Sequence, residues 1–153
     1  MPGGEDDCVF CQIVQGNEKA ARVYEDDTYM AFMDIQPINP GHILVLPKVH
    51  RETVFEMTPE EAGALFAQAA RLAMAVKEAL QADGINIGQN NGRAAQQIVP
   101  HVHVHVIPRY ADDSPAGRWP ARKAVPLAEL EGMAQAIRRS IQDGTTPAAR
   151  PGS

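Results

Sequence analysis

Three of the five histidines of this 153-residue chain alternate with valine over residues 101–106. Alternate side chains of an extended strand share a face, so we expect His101, His103 and His105 to line one surface while the valines pack into the core. Imidazole can serve as a nucleophile, a proton donor or a metal ligand at neutral pH. The strict alternation and the apolar opposite face favour a functional site over an incidental histidine tract.

The only two cysteines, Cys8 and Cys11, have C-x-x-C spacing. In a reducing compartment such a pair more often binds metal or does redox chemistry than it forms a structural disulfide. A structural zinc site would need two further nitrogen or sulfur ligands. A thioredoxin-like redox role is disfavoured because no strand precedes the cysteines.

Two helices are predicted to support these residues. Residues 58–83 form the longer one, in which Thr58 caps the helix, Pro59 takes the first helical position and Glu61 completes a capping box. We expect Gly84 to end this helix, and its apolar stripe to pack on a sheet or a second helix. The stripe comprises Leu65, Ala69, Leu72, Val76 and Ala79. A second helix is predicted over residues 126–142, by the same apolar spacing.

Short strand-like runs surround the long helix and are separated by glycine, proline and asparagine. Gaps of hairpin length between them favour antiparallel pairing. The runs cover residues 22–25, 29–34, 42–47, 85–90 and 99–108. The predicted fold class is α+β, an antiparallel sheet with one long helix and a C-terminal helix. We expect residues 1–142 to form a single domain and residues 143–153 to be a disordered tail.

The composition argues against two classes of partner. Fourteen basic residues against nineteen acidic ones give a net charge of −5, and the basic residues are scattered, so nucleic-acid binding is not expected. No run approaches the roughly 20 apolar residues of a membrane span, and the acidic N-terminus is unlike a signal peptide. We therefore expect no membrane partner and a cytoplasmic location.

Residues 101–107 match the signature of the histidine triad (HIT) superfamily, His-φ-His-φ-His-φ-φ, in which φ is apolar. Further segments look like those of the family and follow in the family's order. These are residues 8–14, 23–27, 31–35, 39–48 and 90–92. Over residues 8–109 the chain thus resembles a Hint-like bacterial HIT nucleotide hydrolase, and the resemblance implies the HIT fold.

The same resemblance implies covalent nucleotidyl transfer to water. The position of His103 matches the histidine that attacks the α-phosphorus of a nucleotide ester, anhydride or phosphoramidate. His105 matches a residue that contacts phosphate oxygens, and His42 matches one beside the nucleophile. No metal ion is required for this chemistry, because protonated imidazoles and backbone N–H groups can carry the phosphate charge.

For the nucleotide, the resemblance assigns Asp34 to the ribose hydroxyls, with Asn90 and Gln97 joining His105 at the phosphates. Base contacts are implied at Val9, Phe10, Ile13, Phe32 and Ile35. Spacing alone would favour a core for these five apolar residues. Two residues depart from the family pattern: Gln96 stands where glycine is common, and Ile98 stands where serine or threonine is frequent. Both departures leave the preferred leaving group open.

The resemblance also implies a structural zinc ion held by Cys8, Cys11, His50 and His101. The rival interpretation is a pair of free thiols without metal. A homodimer is implied as well, because the family's dimers pair the long helix and the following strand across a two-fold axis. The alternative is that the helix at residues 126–142 covers the apolar stripe within one chain.

We therefore expect a hydrolase that releases a nucleoside monophosphate, with AMP as the expected nucleotide, through a nucleotidyl-histidine intermediate. Its partners would be purine nucleotides or nucleotidylated small molecules or proteins. Two alternatives stay open, a dinucleoside polyphosphate hydrolase and a nucleotide-binding, zinc-stabilised module with little turnover. Turnover on an adenosine phosphoramidate beside diadenosine polyphosphates separates these possibilities.

Overall fold

The computed structural model describes residues 5–114 and 118–144, which contain three α-helices, three short 3-10 helices and five strands. The predicted tail begins with Asp143 and Gly144, which follow the last helix, and its residues 145–153 lie outside the described part. The elements are α1 (Val9–Gln15), β1 (Arg22–Glu25), β2 (Tyr29–Met33), β3 (Ile43–Pro47), α2 (Pro59–Leu80), β4 (Gly84–Gln89), β5 (Val104–Arg109) and α3 (Leu127–Gln142).

The five strands form one antiparallel sheet in the order β1-β2-β3-β5-β4. In this register His105 of β5 lies between Leu44 of β3 and Gly88 of β4. Strand β4 is an outer strand of the sheet. The predicted α+β class and antiparallel pairing are confirmed.

The start of α2 is as predicted. Thr58 Oγ1 accepts a 3.1 Å hydrogen bond from Glu61 N, and Glu61 Oε1 accepts one of 2.9 Å from Thr58 N. The predicted end was wrong, because the helix stops at Leu80, with Gln81 in the left-handed conformation at φ 51°. The Gln81 N–H donates to the Lys77 carbonyl and so completes the last turn of the helix. Gly84 lies beyond this turn and is the first residue of β4.

Helix α1 was not predicted. Its seven residues give too short a window for apolar periodicity to distinguish a helix from a loop. Cys8 is its N-cap, and Cys8 Sγ accepts a hydrogen bond from Cys11 N at 3.3 Å. Gly16 ends the helix at φ 87°. The helix therefore brings the two cysteines onto one turn.

Helices α2 and α3 pack together on one side of the sheet. The stripe residues Leu65, Leu72 and Val76 are buried with Leu130 and Ile137 of α3. Helix α3 therefore covers the apolar stripe of α2 within the same chain, as the alternative to a dimer contact had it. The apolar stripe of α2 therefore gives no argument for a dimer.

The opposite side of the sheet carries α1 and a second apolar cluster that includes Phe10, Phe32 and Leu46. The predicted alternation at residues 101–106 is confirmed, since Val102, Val104 and Val106 all lie in the first core. The regular strand begins at Val104 rather than at residue 99. Val102 N instead donates to the Arg51 carbonyl at 2.7 Å. Among the described residues, no helix combines the length and apolar character needed to cross a bilayer.

Gly41 provides a test of the packing just before His42. Its φ is +96°, and an added Cβ would lie 1.9 Å from Leu80 Cδ1 and 3.1 Å from Pro108 Cγ. We expect G41A to lower the free energy of unfolding by about 2 kcal/mol, measured by urea denaturation. The control is G63A on the exposed side of α2, where a Cβ meets open space. It should raise stability by up to about 1 kcal/mol. Equal effects of both substitutions would contradict this packing.

Candidate functional site

A cleft of about 680 Å³ opens on the side of the sheet that carries α1. Apolar side chains from α1 and β2 form one part of its wall, and a polar group that includes two triad histidines forms another. The polar lining includes Asp34, Asn90, Gln96, His103, His105 and Arg122. The cleft is therefore amphipathic, as a site for a nucleobase and a phosphate would be.

His103 is held with one ring nitrogen directed to the backbone. Its Nδ1 lies 2.7 Å from the His101 carbonyl oxygen, which can only accept, so Nδ1 carries the hydrogen in the neutral ring. Nε2 then keeps an unprotonated lone pair. Burial lowers the pKa of His103. A neutral imidazole in this tautomer has the nucleophilic electron pair on Nε2.

His42 lies behind His105 and is fully buried. Its Nδ1 accepts a 3.0 Å hydrogen bond from Ile38 N, so Nε2 carries the hydrogen of the neutral ring. Nε2 is 2.9 Å from His105 Nδ1 and 3.4 Å from Asp34 Oδ2. His42 therefore donates to His105, which must hold its own hydrogen on Nε2. The His105 ring in turn lies 4.9 Å, centroid to centroid, from that of His103.

His42 and His105 are neutral at pH 7. Burial lowers the pKa of His42 to about 3 and that of His105 to about 4. The positive charge of Arg122 lowers both pKa values further, while the Asp34 carboxylate opposes the shift. The cleft therefore offers imidazole lone pairs and N–H donors rather than a cluster of imidazolium charges.

Asp34 follows β2 and is 8% exposed. Its Oδ1 accepts a hydrogen bond from Gln36 N at 2.8 Å, and its Oδ2 lies 3.1 Å from Arg122 Nη1. Burial acts to raise the pKa of Asp34, yet the hydrogen bond from Gln36 N and the Arg122 guanidinium hold it below the ordinary value. Asp34 is thus a carboxylate at neutral pH.

The five predicted base-contact residues all line the cleft. Phe10, Ile13 and Phe32 also belong to the second apolar cluster, where the two phenylalanine rings meet edge to face at 5.3 Å. Val9 and Ile35 are 44% and 63% exposed. Core and pocket were posed as alternatives, but the three buried residues do both, since the wall of the cleft is the surface of that cluster.

The loop before the triad brings Asn90, Gln96 and Ile98 to the cleft, but not Gln97. Gln97 Oε1 accepts from Gly92 N at 2.7 Å, and its Nε2 donates to the Glu52 and Val99 carbonyls. The amide of Gln97 is thus occupied by backbone groups and shapes the loop. We predicted that Gln97 would contact the phosphates, but it does not line the cleft. Gln96 has φ +70°, a left-handed backbone in which glycine is unstrained. The glycine that the resemblance leads us to expect here would adopt this conformation without strain.

Cys8, Cys11, His50 and His101 each place one ligand atom within 4.8 Å of the others. His101 Nδ1 is 3.3 Å from Cys8 Sγ and 3.5 Å from Cys11 Sγ, while His50 Nδ1 is 3.3 Å from Cys11 Sγ. A tetrahedral zinc ion with ordinary bond lengths separates its ligand atoms by about 3.6 Å. His101 Nε2 donates to the Pro47 carbonyl at 2.8 Å, which leaves Nδ1 unprotonated toward the sulfurs. The donor set therefore fits zinc.

Arg122 and Trp119 also line the cleft, and sequence reasoning assigned Arg122 no role. Both lie in the segment between β5 and α3, which has no periodicity or motif that could have indicated a site. The Arg109 guanidinium carbon lies 5.4 Å from the Trp119 ring centroid. Val125 N donates to the Ile35 carbonyl at 3.0 Å, which fastens this segment to the loop after Asp34.

A HIT domain family model matches residues 15–112, and the chain belongs to the HIT family. It is 43% identical over 105 residues to Protein hit of Bacillus subtilis, covering 69% of this chain and 72% of that protein. Identity to the adenosine 5'-monophosphoramidase hnt1 of Schizosaccharomyces pombe is 35% over 136 residues, or 88% and 98% of the two chains. A zinc-bound histidine triad family protein from Mycobacterium smegmatis superposes with a TM-score of 0.81 at 37% identity, covering 92% and 96%. The expected family and HIT fold are confirmed.

The burial of neutral His42 predicts a specific loss of stability in acid. Its folded pKa, about 3, lies below the ordinary value of 6.5, so between these values the unfolded chain binds the extra proton. The contribution of neutral His42 to the free energy of unfolding is fully present above pH 6.5 and is lost as the pH drops toward 3. Near pH 5.5, His42 should contribute about 1 kcal/mol per pH unit to this slope. The free energy of unfolding, measured with urea at several pH values, should change less steeply with pH in H42N, by that amount. An identical pH dependence in H42N and the wild type would contradict the assignment.

Proposed function

We propose that this protein is a nucleotide hydrolase that releases AMP from a phosphoramidate through a nucleotidyl intermediate on His103. The observation that carries the proposal is the 2.7 Å hydrogen bond between His103 Nδ1 and the His101 carbonyl. It leaves the Nε2 lone pair available on a ring that lines the cleft. A similar protein, hnt1, is an adenosine 5'-monophosphoramidase, which supports the choice of substrate class.

In the first step, His103 Nε2 attacks the phosphorus, a P–Nε2 bond forms and the P–N bond to the leaving amine breaks. The leaving nitrogen takes one proton from solvent as the P–N bond breaks, and the amine departs. In the second step, water attacks the phosphorus, the P–Nε2 bond breaks and AMP is released. The attacking water returns one proton, so the two steps together consume one water molecule and restore neutral His103.

The other polar residues act on the bound nucleotide. His105, with its hydrogen on Nε2, donates to a phosphate oxygen, and His42 fixes that tautomer by donating to His105 Nδ1. Asn90 is a further donor to the phosphate, and Asp34 accepts from the ribose hydroxyls. Phe10, Ile13, Phe32 and Ile35 contact the base through their apolar surfaces. Gln97 supports the same loop from behind, through its bonds to the backbone.

The substitution H103A should abolish turnover of adenosine 5'-phosphoramidate while changing the dissociation constant for AMP by less than about tenfold, because the nucleophile acts chiefly in the chemical step. Steady-state kinetics and calorimetric titration with AMP measure the two quantities. Diadenosine tetraphosphate is assayed in parallel. Preferred turnover of that compound would instead support the dinucleoside polyphosphate hydrolase.

As a control, the melting temperature of H103A should equal that of the wild type, which shows that any loss of activity does not come from unfolding. Full turnover by H103A would refute the covalent mechanism. Binding of AMP by the wild type without turnover of either substrate would favour the nucleotide-binding module.

A structural zinc ion held by Cys8, Cys11, His50 and His101 is part of the proposal. When bound, it would fasten α1 to the strand end at Pro47 and to the start of the triad, because its ligands come from these three parts of the chain. The set excludes His103, so this zinc would not contact the nucleophile. The zinc-bound M. smegmatis relative supports this assignment.

Protein purified without chelator should contain one zinc per chain, and C8S should lose it. Chelation should lower the melting temperature more than it lowers the activity per folded molecule, since the ligands are separate from the nucleophile. Metal analysis and thermal unfolding test both statements, with re-addition of zinc as the control. Zinc-free protein, or a C8S variant with wild-type stability, would support the alternative of two free thiols.

A homodimer and a cytoplasmic location complete the proposal. The outer strand β4 supports the dimer, because such an edge has backbone groups able to pair with a second chain. Light scattering at micromolar concentration should give about twice the chain mass of 16.6 kDa. A mass equal to that of one chain would contradict the dimer.

A further inference from the structure

Arg122 is a cation that the fold brings directly to the predicted ribose carboxylate. Its Nη1 lies 3.1 Å from Asp34 Oδ2 and 2.6 Å from the Gln36 carbonyl oxygen. The side chain is 38% exposed and lines the cleft. The Val125–Ile35 backbone hydrogen bond holds its segment against this edge of the cleft. The arrangement is therefore an ion pair at the site and not a distant surface contact.

This ion pair occupies the oxygen that a ribose would need. Asp34 Oδ1 already accepts from Gln36 N, and Oδ2 contacts both Arg122 and His42 Nε2. A cis-diol binds a carboxylate by donating two hydrogen bonds to it, so the ribose hydroxyls and Arg122 compete for the same acceptors. A ribose hydroxyl that binds Oδ2 would compete there with the guanidinium and draw it away from Asp34.

The released guanidinium would meet the negative charge that the nucleotide brings. His42 and His105 are neutral, so the histidines supply donors but no full positive charge to a phosphate. Arg122 and His105 line the same cleft, and contacts through Asp34 and His42 link the two residues. Guanidinium groups bind phosphate oxygens with paired, charge-assisted hydrogen bonds.

We propose that Arg122 is a specificity-determining residue that pairs with Asp34 in the free protein and with the phosphate of the substrate when the ribose hydroxyls bind Asp34. The cleft would then select phosphorylated nucleosides over neutral ones. This inference rests on the proposed function, because it takes the cleft to be the nucleotide site.

The test is the ratio of the adenosine and AMP dissociation constants, measured by calorimetry on the wild type and on R122A. The ratio should fall at least about tenfold in R122A, because a charge-assisted contact to the phosphate is lost. Adenosine itself should bind equally well or up to about fivefold more tightly, because its competitor for Asp34 is gone. R122Q, which retains a side-chain donor for the Gln36 carbonyl without the charge, should show the same fall.

The matched control is K123A. Lys123 is the exposed neighbour of Arg122 and is not part of the cleft lining, so its removal should leave the ratio unchanged. An unchanged ratio in R122A and R122Q would overturn the inference, as would an equal fall in K123A or an equal weakening of both ligands. A wild-type protein that binds neither ligand would instead refute the proposed function itself.

Discussion

The hydrogen bond from His103 Nδ1 to the His101 carbonyl determines which nitrogen of His103 is available for chemistry. The His101 carbonyl has a defined position because both ring nitrogens of His101 make contacts. His101 Nε2 donates to the Pro47 carbonyl, and its Nδ1 lies against the two cysteine sulfurs. Val102, between the two histidines, is fully buried in the core. One short extended segment thus joins the candidate metal centre, the core and the nucleophile.

Charge balance is the second constraint on the cleft. Burial keeps the histidines neutral, and the Asp34 carboxylate is compensated by Arg122 rather than by an imidazolium. A nucleotide that enters therefore meets a neutral set of donors with one ion pair at its edge. This arrangement preserves the lone pair of His103, and under our proposal it makes the Asp34–Arg122 pair decisive for nucleotide binding.

Much of this structure could be predicted from the sequence where a short-range rule applies. The alternation of histidine and valine fixed two faces because strand geometry has a period of two, and Thr58 with Glu61 located a helix start through a local capping rule. Helix α1 was missed because seven residues carry too little periodicity. Gln97 and Gln96 are neighbours, and only the left-handed backbone at Gln96 decides which of them faces the cleft. Arg122 is separated from Asp34 by 88 residues, and no local pattern indicates that contact.

The central claim is that His103 becomes covalently nucleotidylated. Wild-type protein mixed with adenosine 5'-phosphoramidate, quenched in acid within milliseconds and analysed by intact-mass spectrometry, tests it directly. The account predicts a species heavier by one adenylyl group, with the modification mapped to the peptide that contains His103 and absent from H103A. Turnover without any such adduct, or an adduct that persists in H103A, would contradict it.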